Sequence, residues 1–441
     1  MRTLIQSADI ITLDKQDRIL RNAAIAIADG RIISVGRPAP GFAPDETIDA
    51  SGHVALPGFF NAHTHAAMTL ERGWAEDLPL DRWFNERIWV AESALEEEDV
   101  YWGAALAACE MIRSGTVAFA DHYFWMDRVA QVVQESGMKA LLAWCVFGLG
   151  AEQEIGGTTL ERTVRFVQEW NGAAGGRIRT ILGPHSPYIC SPEFLSQVAK
   201  ESARIGIGVH LHVAESQGQM EESLKRHGKT PVAQLGDLGL LELPSIAAHC
   251  LYLTADDMER LARYDVTVAH CPKTYMKLSM GVAPVFEMLA HGVRVAVGTD
   301  GCASGNSLSM LESLRLAALV QKLRKNAPEA LPGLAPLRLA TQVGARALGF
   351  ADSGVLAPGR PADLILLDFR KPHLRPRHDL AANVVYSAEA ADVTHVMVDG
   401  RWLMVNGALL TLDEERICYE AERRALRMVG APLRRVRAYQ G

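Results

Sequence analysis

The chain has 441 residues, 49% hydrophobic and 22% charged, with a formal net charge of −7. That is apolar material for one large domain plus a smaller one, and an acidic balance without a long basic stretch excludes nucleic acid and anionic membrane as expected partners. The start lacks a charged-then-apolar leader profile, no membrane-length apolar window exists, and seven cysteines form no Cys-x-x-Cys pair, so a cytosolic, disulfide-free protein with a small-molecule ligand is expected.

Short alternating runs at 4–13, 23–36 and 46–56 read as antiparallel strands, with Asp29-Gly30 at a tight hairpin position. The pattern returns at 362–369 and 394–409, where "VDGRWLMVNG" echoes "ADGRIISVG". Residues 1–57 and 354–441 are therefore expected to build one small β-sandwich from both termini, with a C-terminal helix, around an inserted domain at 58–353.

Inside that insertion, eight strand-like runs occur at 55–65, 115–122, 139–147, 179–186, 208–215, 246–252, 266–272 and 294–301. Amphipathic stretches at 96–115, 128–137, 192–206, 255–264 and 284–292 lie between them, several closed by a glycine suited to a helix C-cap. Eight strand-then-helix units, with no Gly-x-Gly-x-x-Gly after the first strand, predict an α/β fold of the (β/α)8 TIM-barrel type.

Nearly every strand run ends in a residue able to ligate metal or move protons: His63 and His65, Asp121 and His122, His185, His212 and Glu215, His249, His270, and Asp300. In a parallel barrel these tips converge on one mouth. His63 and His65, two apart on a strand, point the same way, and a third imidazole with a carboxylate completes a nitrogen and oxygen set suited to zinc or ferrous iron. Of the second pair, His212 sits nearer the mouth and takes the ligand role, leaving His210 buried behind it; His53 and His227 read as structural or exposed.

The runs "PGFFNAHTH", "HVAE", "AAHC", "VAHCP" and "GTDG", in that order and spacing, resemble the amidohydrolase superfamily in its cytosine deaminase-like branch. "HTHAAMTLERGWAEDLPLDRWFNERIWVAE", "GPHSPYICSPEFL" and "GTDGCASGNSLSMLESLRLAAL" are similar to the methylthioadenosine/S-adenosylhomocysteine deaminases of the TRZ/ATZ type, and the likeness spans essentially the whole chain. The resemblance implies one divalent ion, zinc first and ferrous iron second, held by His63, His65, His212 and Asp300. It implies proton handling by Glu215 and His249 with Asp300, substrate contacts from His185 and His270, and a grip on ribose hydroxyls by Glu92. Dinuclear relatives bridge their metals with a lysine at the fourth strand tip, and 179–190 holds none, so a mononuclear site is expected.

Two departures bear on the substrate. Members that accept S-adenosylhomocysteine hold its carboxylate with arginines on and just after the third strand. Here Trp144 and Thr158 stand there, with Arg162 beyond, so Trp144 is expected to face a less charged substrate. Lys273 and Tyr275 occupy positions where small polar residues are more usual. The expected activity is hydrolytic release of ammonia from an amino-substituted purine nucleoside such as methylthioadenosine or adenosine, with S-adenosylhomocysteine disfavoured, in a homo-oligomer (dimer or tetramer). The alternatives are guanine, pterin or s-triazine chemistry on the same metal, and an inactive scaffold. Residues 95–99 read as an acidic helix start and 422–437 as a basic surface helix and tail, while Trp74, Trp83 and Trp89 either line or pack the pocket.

Overall fold

The computed structural model describes residues 1–430. At the amino end the alternating runs form β1 (Arg2–Ile11), β2 (Ile19–Ala28), β3 (Arg31–Gly36), β4 (Glu46–Asp49) and β5 (His53–Pro57). The chain then enters eight strands that pair only in parallel: β6 (Phe59–Thr64), β7 (Thr116–Tyr123), β8 (Lys139–Val146), β9 (Ile178–Pro184), β10 (His210–Val213), β11 (Ile246–His249), β12 (Thr267–His270) and β13 (Arg294–Val297). These correspond one to one with the eight runs read from sequence. Their near-continuous burial is the signature of parallel strands covered on both faces.

The eight strands hydrogen-bond as two sheets of four that meet at two seams. One seam is a parallel bridge from Leu182 to Val209, extended by the His212 N–H donating to the His185 carbonyl at 3.0 Å. The other joins last strand to first: the N–H groups of Thr299 and Asp300 both donate to the His63 carbonyl, at 3.2 and 3.0 Å. A Cβ on Gly298 would stand 2.9 Å from the His63 backbone nitrogen, so only glycine permits this approach. The arrangement is a barrel-type α/β fold with helices outside. Those helices start where the sequence supplies caps, as at Ser216 and Thr254, whose hydroxyls accept from the backbone N–H of Gln219 and Asp257.

The carboxyl end supplies β14 (Leu364–Asp368), β15 (Val393–Val398), β16 (Arg401–Val405) and β17 (Ala408–Leu409). β14 pairs antiparallel with β5, so both chain ends join. The expected sandwich takes the form of one continuous nine-stranded sheet rather than two separately bonded ones. The echoed Asp-Gly-Arg motifs are both two-residue hairpins, with φ of 50° and 78° at Asp29 and Gly30 and of 46° and 74° at Asp399 and Gly400. The two turns abut: a Cβ on Gly30 would lie 2.7 Å from the Asp399 carbonyl oxygen.

One buried cation ties sheet to barrel. Lys139, 3% exposed at the start of β8, places Nζ 2.6 Å from Asp363 and 2.7 Å from Asp399. Removing one partner of such a buried pair leaves the other charge uncompensated. We expect Lys139→Met to lower unfolding free energy by about 3–5 kcal/mol in a denaturant titration; a loss under about 1 kcal/mol would refute the clamp.

The segment 95–99 starts the helix Glu97–Arg113, where Glu96 and Asp99 form a capping box. Asp99 is fully buried against Arg424 (3.1 Å) and Arg427, which lie on the last helix, Glu414–Gly430. The basic segment expected at 422–437 lies on this helix as far as 430, and its remainder lies outside the described residues. Six of the seven cysteines are buried, Cys418 being exposed. Among the described residues no helix is long and apolar enough to cross a membrane.

Candidate active site

The strand-tip residues gather at one end of the barrel. Nitrogen atoms of His63, His65 and His212 lie within 4.8 Å of one another, and so do the ligand atoms of His63, His249 and Asp300. The finer distances are diagnostic. Asp300 Oδ1 is 3.5 Å from His63 Nε2 and 3.3 Å from His65 Nε2, and His65 Nε2 is 3.3 Å from His212 Nε2. Four ligands about 2.0–2.1 Å from a tetrahedral ion stand about 3.4 Å apart, so these atoms are spaced as the corners of a coordination shell. His63 Nε2 is buried with no hydrogen-bond partner, as a nitrogen reserved for a cation would be. The donor set fits a divalent metal ion.

Supporting groups fix how each ligand points. The His65 Nδ1–H donates to the His122 carbonyl at 2.5 Å, and that of His212 to the His185 carbonyl at 2.9 Å. A carbonyl only accepts, so both rings carry hydrogen on Nδ1 and present the Nε2 lone pair inward. His63 Nδ1 meets His210 Nε2 at 2.9 Å, which gives His210 its supporting role. Asp300 Oδ2 accepts from the Thr274 hydroxyl at 2.9 Å, and its Oδ1 from the Gly301 N–H at 2.8 Å. Ala214, His249 and Asp300 hold φ of 48°, 77° and 62°, strain that turns the strand tips toward a common point.

Burial, reinforced by neighbouring imidazoles, presses the pKa values of His212 and His249 down to about 4 and that of His63 well down. Burial works against the charge on Asp300, yet the His63 and His65 imidazoles set against its Oδ1 hold its carboxyl well below the usual range. Burial also opposes charge on His65, and Asp300 overrides it, drawing that ring upward. His63 and His212, pressed toward the neutral imidazole, and an ionised Asp300 are in the forms that bind a cation. Burial raises Glu215, whose Oε2 accepts from the Tyr188 hydroxyl at 2.8 Å and whose Oε1 is 3.9 Å from His249 Nε2. Glu92 is pushed up to about 7, mainly by burial.

A cavity opens over this cluster, lined by His65, Glu92, His185, His212, Glu215, His249 and Asp300 among polar residues. His122 also faces it, whereas Asp121 turns away and accepts from the Ala66 N–H at 2.8 Å. Two expected substrate contacts do not reach it. Trp144 is a correction: its indole faces outward on β8, packed edge-on against Phe166 at 5.5 Å and donating to Thr158 at 3.1 Å, with Arg162 stacked over the ring at 4.5 Å. Its neighbours Cys145 and Phe147 line the cavity instead. His270 is fully buried behind the wall, 5.4 Å from the Tyr275 ring, and does not line the cavity.

Trp83 and Trp89 line the cavity, while Trp74 lies under the Arg87 guanidinium at 5.0 Å. Lys273 pairs with Glu312 at 2.8 Å and the Tyr275 hydroxyl accepts from the Cys271 N–H at 2.8 Å, so neither enters the pocket; Thr274 between them does. Sequence reasoning passed over Thr274, Tyr188, Met68, Phe84 and Phe124. Met68, Tyr188 and Thr274 each lie four residues past a strand end and Phe124 one, which is their only sequence signal; Phe84, twenty residues past β6, has none.

Comparison with known proteins follows the same lines. A 5-methylthioadenosine/S-adenosylhomocysteine deaminase from Pelotomaculum thermopropionicum is 49% identical over 429 residues, covering 97% of this chain and 98% of that protein. A 5'-deoxyadenosine deaminase from Methanosarcina acetivorans is 45% identical, covering 97% and 98%. A crystal structure of an adenosine deaminase from Xanthomonas campestris with bound zinc superposes with a TM-score of 0.93 at 32% identity, covering 97% of this chain and 99% of that one. Residues 54–403 match the sequence model of the amidohydrolase family, and with these likenesses the chain belongs to that family.

Proposed function

We propose that the protein is a metal-dependent hydrolytic deaminase of adenosine-like nucleosides, with a zinc ion held by His63, His65, His212 and Asp300. The observation that carries the reading is the 3.3–3.5 Å spacing of those donors beneath Glu215 and His249. When bound, such an ion supplies Lewis acidity, bringing the pKa of a water from 15.7 to about 7.

The chain's own groups do the rest. Glu215, whose carboxyl burial pushes upward and Tyr188 orients, acts as the acid that gives a proton to the ring nitrogen beside the C–NH2 carbon, which makes that carbon electrophilic. His249 and Asp300 take the proton of the attacking water. As the tetrahedral carbon collapses, the proton held by His249 and Asp300 passes to the amino nitrogen and the hydroxyl proton returns to Glu215; ammonia leaves and a ring carbonyl remains. Glu92, on the cavity wall, is an acceptor placed for sugar hydroxyls, and His185, whose Nδ1 is 3.0 Å from Ser186 Oγ, is placed against the base.

Specificity follows from the remaining wall. Met68, Phe84, Trp89, Phe124, Phe147 and Leu278 line it, and no lysine or arginine is among the described lining residues. A carboxylate entering such a wall loses hydration without gaining a partner. Ammonia release measured across adenosine, methylthioadenosine, S-adenosylhomocysteine, guanine and aminotriazines should favour the first two. We expect kcat/KM for S-adenosylhomocysteine at least about tenfold below that for methylthioadenosine, and equality would remove the apolar-wall argument. The terminal sheet, with a separate apolar core around Ile5, Ile25, Leu364 and Trp402, supports the reading of a sandwich-like unit.

A further inference from the structure

Among the described residues, four helical segments begin with a capping box, in which the third residue of the helix reaches back to a backbone N–H ahead of the first turn. In three of them that residue is aspartate, and it accepts from the capping residue itself: Asp99 from the Glu96 N–H at 2.8 Å, Asp257 from Thr254 at 2.9 Å and Asp392 from Glu389 at 2.8 Å. The fourth box is displaced. Gln219, on the helix Gln217–His227, sets its Oε1 3.4 Å from the N–H of the capping residue Ser216 but 2.8 Å from the N–H of Glu215, one residue further back. Both groups donate, so the amide turns its oxygen to them. Glutamine, one methylene longer than aspartate, makes the longer reach.

The displacement matters because of the residue it grips. The Tyr188 hydroxyl holds the Glu215 carboxyl at 2.8 Å, and that bond leaves open where the main chain beneath the side chain lies. Ala214, immediately before, has φ of 48°, a left-handed conformation that alanine adopts only at a cost. A hydrogen bond to the next N–H pins the chain in that turn. Gln219 is buried and does not line the cavity, and the chemistry above gives it no part.

We infer that Gln219 is a positioning residue for the reaction, one that holds the Glu215 main chain and thereby sets where the acid meets the ring nitrogen. The inference rests on the deaminase reading above and deepens it. A misplacement of about 1 Å at a reacting group can lower a rate about a hundredfold, so a residue outside the cavity has leverage on turnover.

The test compares Gln219→Asp with Gln219→Ala. Aspartate restores the ordinary box, which keeps the helix start and releases the Glu215 N–H; alanine gives up both. Per metal-loaded molecule, Gln219→Asp should lower kcat for adenosine about tenfold or more, with KM within about twofold and the thermal midpoint within about 2 °C of wild type. Gln219→Ala should show the same loss of kcat with a midpoint lower by a few degrees. A kcat within about twofold of wild type in either variant overturns the inference. In a Glu215→Gln background, Gln219→Asp should cost less than about twofold further, since its effect runs through the proton that glutamine lacks; losses that multiply overturn the inference as well. Hydrogen exchange needs no turnover: the Glu215 amide should exchange about tenfold faster in Gln219→Asp, and unchanged protection is a third contrary result. Wild-type turnover of adenosine in the same series tests the functional reading separately.

Discussion

Asp300→Ala should abolish both metal retention and turnover, with kcat/KM falling by roughly four orders of magnitude or more. Asp300 Oδ1 stands within 3.5 Å of two ligand imidazoles, so alanine opens the shell on the side where the first and last strands meet. It also removes the proton acceptor nearest the cavity floor. The Gly301 N–H would lose its side-chain acceptor, and the Thr274 hydroxyl would keep only Ser304 Oγ, at 3.0 Å. Elemental analysis of the purified variant beside an ammonia assay decides the matter. One equivalent of metal together with wild-type turnover in Asp300→Ala would end the assignment.

Glu215→Gln should separate binding from chemistry. Glutamine keeps the shape and can still pair with Tyr188, but it has no transferable acid proton. We expect kcat to drop about 10²–10⁴-fold while metal content stays at the wild-type level. The contrast with Asp300→Ala is the informative part, because Glu215 follows a ligand by three residues without being one. A kcat within about tenfold of wild type would assign the ring-nitrogen proton to another group.

The barrel was legible because nearly every parallel strand is a compact apolar run that ends in a polar tip, and His63, His65, His212, Glu215, His249 and Asp300 all stand at such tips. Trp144 shows where that reading stops. In a strand buried on both faces apolar residues fill both alternate sets, so hydrophobicity cannot say which set looks inward. At the end of β8 the cavity is lined by Cys145 and, just past the strand, Phe147, and the indole packs against a helix instead. His270 stands at a strand tip like its neighbours, yet ends behind Tyr275, a matter of a single side chain's direction. Tyr188 and Thr274 lie on loops and short turns, where no periodicity marks a buried polar group. The nine-stranded terminal sheet was foreshadowed by the paired Asp-Gly-Arg turns, whose contact the echo alone did not require.

The seam at His63 has a consequence for biosynthesis. A nascent polypeptide offers the histidines of β6 early, but the carboxylate that completes their set arrives more than two hundred residues later, across the junction closed by Thr299 and Asp300. With the ion held as proposed, the full donor set forms only at the final stage of maturation, and a fragment cut between those points lacks part of it. Above its dissociation constant, free metal in turn selects for intact, fully closed molecules by mass action.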